Sequence, residues 1–257
     1  MRTIAFITLG CKLNYAETST YARKFTGMGY CIVPSGAKAD IYVINTCSVT
    51  EHADKKCRNI IRRLHRLSPS AVVAVTGCYA QLRADEILEI EGVDIVIGAQ
   101  YKSRLPETVA EFDRAGGKAS YRCGTSEIDS VFPAYSSGER TRSFLKVQDG
   151  CNYFCTYCTV PYARGKSRNI AISDLVSQAM EAAASGIKEI VLTGVNIGDY
   201  GKTTGESFLA LLKALEGVEG IERYRISSIE PNLLTREIVG WIAEESTKFL
   251  PHFHIPI

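Results

Sequence analysis

The sequence predicts an α/β protein with parallel sheets, divided into two domains. Three observations carry that prediction. Short apolar runs alternate with longer segments of helical periodicity, which is the pattern of repeated βα units. A polar stretch punctuated by glycine, proline and serine over residues 115–142 separates residues 1–114 from residues 143–257. The 257 residues, 46% hydrophobic and 23% charged, are of ordinary globular composition and long enough to bury a sizeable core.

In the first domain, residues 3–9, 40–45 and 71–75 are predominantly apolar stretches of the kind expected in buried strands, and residues 94–97 form a shorter one. Helical stretches lie between and after them at about 14–28, 53–67 and 81–89, and a further helix starts near Ser103. In the helix at 53–67, Cys57, Ile60, Ile61, Leu64 and Leu67 recur at helical spacing and make the buried stripe. Lys55, Lys56, Arg58, Arg62, Arg63 and Arg66 fill the remaining faces, with only Glu51 and Asp54 nearby. Such a face suits RNA phosphates, although charge runs are more commonly solvated surface. The stretch at 115–142 reads as a loop-rich connector without chemistry; Arg140 and Arg142 within it read as solvated, with the substrate cleft as the alternative.

In the second domain, residues 143–147 form a strand that runs into a turn at Asp149-Gly150. Helices are expected at 172–185, with Ser173 as N-cap, and at 206–215 and 233–245. Strands are expected at 189–193, 223–227 and 252–257.

Net charge is +2, so any nucleic-acid site must be a local patch. No apolar run reaches membrane-spanning length, and the first residues enter a strand without a signal-peptide layout. A cytoplasmic protein is expected. In a reducing compartment nine cysteines point to metal or redox chemistry rather than to disulfides.

Six of the nine fall into two sets. Cys151, Cys155 and Cys158 are spaced C-x3-C-x2-C on one loop after the strand at 143–147. Three thiolates can hold three irons of a 4Fe–4S cube, leaving the fourth open to a ligand, whereas an electron-transfer cluster normally has four cysteines. The alternative is a group of buried structural thiols. Cys11, Cys47 and Cys78 each follow a predicted strand of the first sheet. Ligands of open α/β sheets bind outside the carboxyl ends of the strands. One cysteine there would be a small buried residue; three in the same position point to a second three-thiolate site. Cys31, Cys57 and Cys123 do not share the pattern and read as structural or incidental.

The loop Cys151-Asn152-Tyr153-Phe154-Cys155-Thr156-Tyr157-Cys158 resembles that of the radical S-adenosylmethionine (SAM) enzymes. With the upstream stretches Thr8-Leu9-Gly10-Cys11-Lys12-Leu13-Asn14, Ile44-Asn45-Thr46-Cys47 and Thr76-Gly77-Cys78, the chain resembles the radical SAM methylthiotransferases over essentially its whole length. The stretches from Gly10 to Thr18 and from Phe144 to Cys151 look most like the branch acting on threonylcarbamoyladenosine in tRNA. Other branches act on isopentenyladenosine in tRNA and on an aspartate of a ribosomal protein.

The resemblance implies an N-terminal methylthiotransferase domain followed by a radical SAM partial barrel. That barrel has six βα units in the family, so the chain is expected to stop inside its catalytic domain, without the family's C-terminal RNA-binding module. It implies two 4Fe–4S clusters and SAM as cofactors, with all six cysteines as metal ligands. One cluster binds SAM and delivers the electron that generates a 5′-deoxyadenosyl radical; the other supplies sulfur. Tyr157 is placed beside the SAM adenine, and Gly194, Asn196 and Glu230 near the SAM methionine or ribose, with ordinary strand-end turns and caps as the alternative. Lys55, Arg62, Arg164 and Arg168 are placed against RNA, with the SAM carboxylate a further possibility for Arg164 and Arg168. His252 and His254 are read as strand residues. The implied partners of this expected monomer are tRNA and an electron donor such as flavodoxin or ferredoxin. A non-catalytic iron–sulfur protein is the alternative of another class.

Overall fold

The computed structural model describes residues 1–47, 51–112, 117–138 and 142–256. The chain divides into two compact units: residues 1–132 with 153–165, and residues 133–152 with 166–257.

The first unit is built on a parallel sheet. Its strands are β1 (Thr3–Thr8), β2 (Cys31–Ile32), β3 (Ile41–Thr46), β4 (Val72–Gly77), β5 (Ile95–Ile97) and β6 (Ala119–Tyr121), in the order β2-β1-β3-β4-β5-β6. Every residue of β3 and β4 is buried, as expected for central strands covered on both faces. Alternate side chains divide between those faces. Tyr42, Ile44, Val73 and Val75 pack with Ile61 and Leu64 of α2 (Glu51–Leu67). The opposite face receives α1 (Lys12–Gly27), whose Phe25 ring lies 5.9 Å from that of Phe6. The expected helix over 81–89 is two short ones, α3 (Cys78–Leu82) and α4 (Ala84–Leu88), broken at Arg83, whose backbone is not helical. The helix expected from Ser103 is a 3₁₀ segment, Ala99–Arg104, continued by α5 (Leu105–Ala110).

The boundaries differ from the expected 1–114, 115–142 and 143–257. The supposed connector is shared by both units. Ala119–Tyr121 adds β6 beside β5, and Phe132 stacks on Tyr21 at 5.0 Å within the first unit. Ala134–Tyr135 is β7, paired antiparallel with β8 (Ser143–Lys146) in the second. Residues 153–165, which contain α6 (Val160–Arg164), cluster with the first unit.

The second unit has β9 (Gln148–Asp149) paired with β10 (Arg168–Asn169), and a sheet in the order β12-β11-β8-β7. Here β8, β11 (Glu189–Thr193) and β12 (Arg223–Ile226) are mutually parallel. Helices α7 (Ile172–Ala184), α8 (Phe208–Glu216) and α9 (Arg236–Glu244) alternate with these strands. Ser207 and Thr235 cap α8 and α9, accepting bonds from Ala210 and Ile238. Ser173 is not a cap but lies inside α7, which Ala171 precedes. Where a strand was expected at 252–257, the described residues make one parallel bridge, Ser228 with His254, and a second lies just before that stretch, Tyr224 with Phe249. Among the described residues no helix is long and apolar enough to cross a membrane.

Candidate metal centres

Strand register sets the first group of thiols. Thr8 pairs with Asn45, and Asn45 with Thr76, so these three residues form one row across β1, β3 and β4. Cys11 lies three residues beyond that row, and Cys47 and Cys78 two residues beyond it. All three therefore leave the carboxyl edge of the sheet together. Cys11 is exposed, Cys47 half-buried and Cys78 buried. Cys11 is also the residue preceding the first turn of α1, where the positive end of the helix dipole suits a site that holds negative charge.

Close packing at this edge depends on glycine. Gly10 has φ +102°, and a Cβ built on it would lie 2.4 Å from the Cys47 Cβ and 2.9 Å from its Sγ. Gly77, before Cys78, has φ +100°, and its Cβ would lie 2.2 Å from the Thr46 carbonyl oxygen. The glycines that precede two of the cysteines thus let the strand ends approach one another.

A polar network lies behind these thiols. The Asn14 side-chain amide donates to the carbonyls of Leu9 at 2.9 Å and Thr46 at 2.8 Å. Its Oδ1 accepts from Arg164 at 2.6 Å and faces the Cys11 thiol at 3.7 Å. Glu17 accepts from Lys102 at 2.8 Å and pairs with Arg164 at 3.4 Å. Neither Asn14, Glu17 nor Lys102 was expected in a site. The available signal is the continuation of the Tyr21–Phe25 stripe of α1 by Asn14, Glu17 and Thr18, polar residues at buried helical spacing. Arg164, expected at RNA or at the SAM carboxylate, is 2% exposed, and its guanidinium is engaged by Glu17 and Asn14.

Residues of the C-x3-C-x2-C loop fall on both sides of the division, Cys151 in the second unit and Cys155 and Cys158 in the first. The amide of Cys158 donates to the Cys155 carbonyl at 2.9 Å, and Phe154 between the first two cysteines has φ +48°. Tyr157 is 88% exposed, and Phe154 meets Tyr162 edge-on at 5.6 Å.

In the second unit, Gln148 organises the approach to Cys151. Its Nε2 donates to the carbonyls of Asp149 and Gly150 and to Ser167 Oγ. Its Oε1 accepts from the amides of Val195 and Asn196. Asp149 is held by Lys146 at 2.6 Å and accepts from the Gly150 amide. The predicted residues Gly194 and Asn196 therefore sit beside the Cys151 turn, and a Cβ on Gly194 would come 2.9 Å from Gln148 Oε1. Glu230 lies in the neighbouring segment, since the Ile197 amide donates to Ser228. Its carbonyl accepts from Leu233 and Leu234 at the turn Pro231–Leu233. Arg168 is half-buried in β10 and donates to the Lys166 carbonyl. Arg142 pairs with Glu189, and Arg140 lies outside the described residues.

These residues fit the implied groups. None of the nine cysteines is in a disulfide. Among the described residues no three His, Cys, Asp or Glu side chains converge on a single ion. At the end of β11, Asn196 Oδ1 and Nδ2 and Thr193 Oγ1 are buried without a hydrogen-bond partner, a state that calls for a polar ligand. By contrast, burial pushes the Cys57 thiol up to about 12, with the Asp54 carboxylate adding to the rise, so that cysteine packs rather than ligates.

On α2, Lys55 and Arg62 are exposed, while Arg58 donates to the Tyr79 hydroxyl at 2.9 Å. Lys55, Lys56, Asn59, Ile60 and Arg63 line a cavity of about 340 Å³.

Residues 3–98 match the uncharacterized protein family UPF0004, and residues 145–257 the radical SAM superfamily. The threonylcarbamoyladenosine tRNA methylthiotransferase MtaB of Bacillus subtilis is 41% identical over 263 residues, covering 100% of this chain and 58% of the relative. That of Aquifex aeolicus is 39% identical, covering 99% and 62%. Over essentially its whole length the chain is similar to these tRNA methylthiotransferases, and its second half matches the radical SAM superfamily. The tRNA-2-methylthio-N(6)-dimethylallyladenosine synthase of Geobacter metallireducens is 32% identical, covering 97% of this chain and 58% of the relative. The chain thus spans about three fifths of the length of these curated relatives. Among solved structures, the radical SAM methyltransferase TsrM of Kitasatospora setae has a TM-score of 0.60 at 13% identity, covering 99% of this chain and 59% of that one, a likeness of fold. The match to the radical SAM superfamily implies SAM and a 4Fe–4S cluster.

Proposed function

We propose that this chain carries the catalytic parts of a tRNA methylthiotransferase, acting on the adenine ring of threonylcarbamoyladenosine in the anticodon loop. The observation that carries the reading is the pair of three-cysteine sets: one on the radical SAM loop, the other at one edge of the first sheet. The choice of nucleoside is supported by relatives named for threonylcarbamoyladenosine at 34–41% identity, against 30–34% for those named for dimethylallyladenosine.

In this reading Cys151, Cys155 and Cys158 hold one 4Fe–4S cluster, and Cys11, Cys47 and Cys78 a second. When bound, the clusters and SAM supply the one-electron chemistry and the sulfur and methyl groups for transfer. Gln148 holds the turn before Cys151 against residues 195–196, so the Cys151 thiol is presented from a fixed backbone. Thr193 and Asn196 offer their unpartnered polar atoms to SAM, with Gly194 leaving room and Glu230 alongside. Tyr157 stacks on the adenine from its exposed position. Lys55 and Arg62 take RNA phosphates on α2, and Arg168 contributes from its own unit. A base in an anticodon loop is unpaired, so it can be splayed into such a site. A flavodoxin or ferredoxin delivers electrons, and the protein works as a monomer in the cytoplasm.

The test is the nucleoside composition of tRNA from a strain lacking the gene, with and without complementation. Loss and recovery of methylthio-threonylcarbamoyladenosine is expected. Unchanged tRNA would overturn the reading. Anaerobic reconstitution of the full chain should give about eight iron atoms, four for each cluster.

A further inference from the structure

The network behind Cys11 is more than packing. Asn14, Glu17, Lys102 and Arg164 are 0, 0, 3 and 2% exposed. Charged groups are rarely buried this completely, because each loses its hydration. Two of them, Lys102 and Arg164, meet on one carboxylate, Glu17. Arg164 also reaches Asn14 Oδ1, the oxygen that faces the Cys11 thiol.

Geometry gives Arg164 a defined task. Asn14 ties together the strand ends that carry Cys11 and Cys47, through the carbonyls of Leu9 and Thr46. It does so only if its NH2 group, not its oxygen, points at those carbonyls. The guanidinium has donors only, so its bond to Oδ1 selects that orientation of the amide. A flipped amide would set NH2 against guanidinium and oxygen against two carbonyls.

The electrostatics act on the same place. A 4Fe–4S core of charge 2+ held by three thiolates carries a net negative charge, and one-electron reduction adds another. Buried cations nearby stabilise the reduced form more than the oxidised one, and little water intervenes to screen them. Glu17 acts with the opposite sign.

We propose that Arg164 is a positioning residue for the metal site of Cys11, Cys47 and Cys78. It locks the Asn14 amide that joins two of the cysteine-bearing strand ends, and with Lys102 it makes a cluster bound there easier to reduce. The inference rests on the proposed second cluster. It assigns a residue six positions beyond Cys158 to the service of the other thiol set.

The test uses the full chain carrying Cys151→Ala, Cys155→Ala and Cys158→Ala, reconstituted anaerobically, so that iron reports only the first set. Redox titration followed by electron paramagnetic resonance gives the midpoint potential. Lys102→Met and Arg164→Met should shift it to more negative values, and Glu17→Gln to more positive ones. A residue that only supports the fold would not give shifts of opposite sign that follow the charge removed. Arg164→Lys keeps the charge but shortens the reach to Asn14, so it should load iron and lose it faster to a chelator than the parent. If Arg164→Met takes up no iron, Arg164→Lys and Lys102→Met decide. Unmoved potentials, or an Arg164→Lys protein that holds iron as well as its parent, overturn the inference. A parent that takes up no iron overturns the reading of a second cluster itself, and the inference with it.

Discussion

Gly10→Ala tests the geometry of the first thiol set most directly. Two separate effects are built into the substitution. At φ +102° an L side chain is strained, which costs about 1–3 kcal/mol. The new Cβ would also stand 2.4 Å from the Cys47 Cβ, well inside the roughly 3.5–4.0 Å at which carbon atoms rest in contact. Overpacking of that kind costs about 1–3 kcal/mol. Together they predict a destabilisation of about 2–6 kcal/mol.

A control separates the two effects. Gly29 has φ +85°, and a Cβ there meets nothing within 4 Å, so Gly29→Ala carries the strain without the clash. Urea unfolding of both variants should show Gly10→Ala the less stable by about 1–3 kcal/mol, a factor of roughly 5 to 150 in the folding equilibrium. Because Cys47 is the atom group displaced, iron uptake by the first set should fall in Gly10→Ala and be retained in Gly29→Ala. Equal stability of the two variants, with equal iron, would refute the packing argument at this edge.

Other outcomes follow from single contacts. Gln148→Glu sets a carboxylate oxygen against two carbonyls, leaving only the Ser167 hydroxyl able to turn and donate, so it should destabilise the second unit by about 2–4 kcal/mol and reduce iron at Cys151, Cys155 and Cys158 when the first set is replaced by alanine; full iron retention would contradict this. Burial of Cys57 should make stability fall with rising pH. Its folded value of about 12 lies above the ordinary 9.0, so its contribution is complete below pH 9 and is lost as the pH climbs towards 12. Cys57→Ala should flatten that decline in denaturation midpoint, and an unaltered slope would count against it. Lys55→Gln and Arg62→Gln should each weaken tRNA binding and lower the slope of log affinity against log salt by about 1, read by filter binding across a salt series. An unchanged slope would remove α2 from the RNA surface.

The parts that were legible in the sequence share a physical cause. Residues 41–46 and 72–77 are buried throughout, so their strands appear as predominantly apolar runs, and the thiols beyond them fall at one edge by register alone. Where burial is not continuous, the signal fails. Ala119–Tyr121 and Ala134–Tyr135 are too short for a period to emerge, and β6 is largely exposed, so the sheets capture segments that look like connector. The burial of Arg164 is hidden for a different reason. With Lys166 and Arg168 it forms a basic triplet that looks solvated, and its carboxylate partner lies 147 residues away. The informative clue sits on the partner's side. A helix that packs an apolar stripe against a sheet has no reason to continue that stripe with Asn14 and Glu17 unless buried groups elsewhere answer them. Polar residues on a core-facing helical stripe, close to a thiol, therefore announce a buried cation that local reading cannot locate. Here Lys102 and Arg164 supply it from two distant parts of the chain.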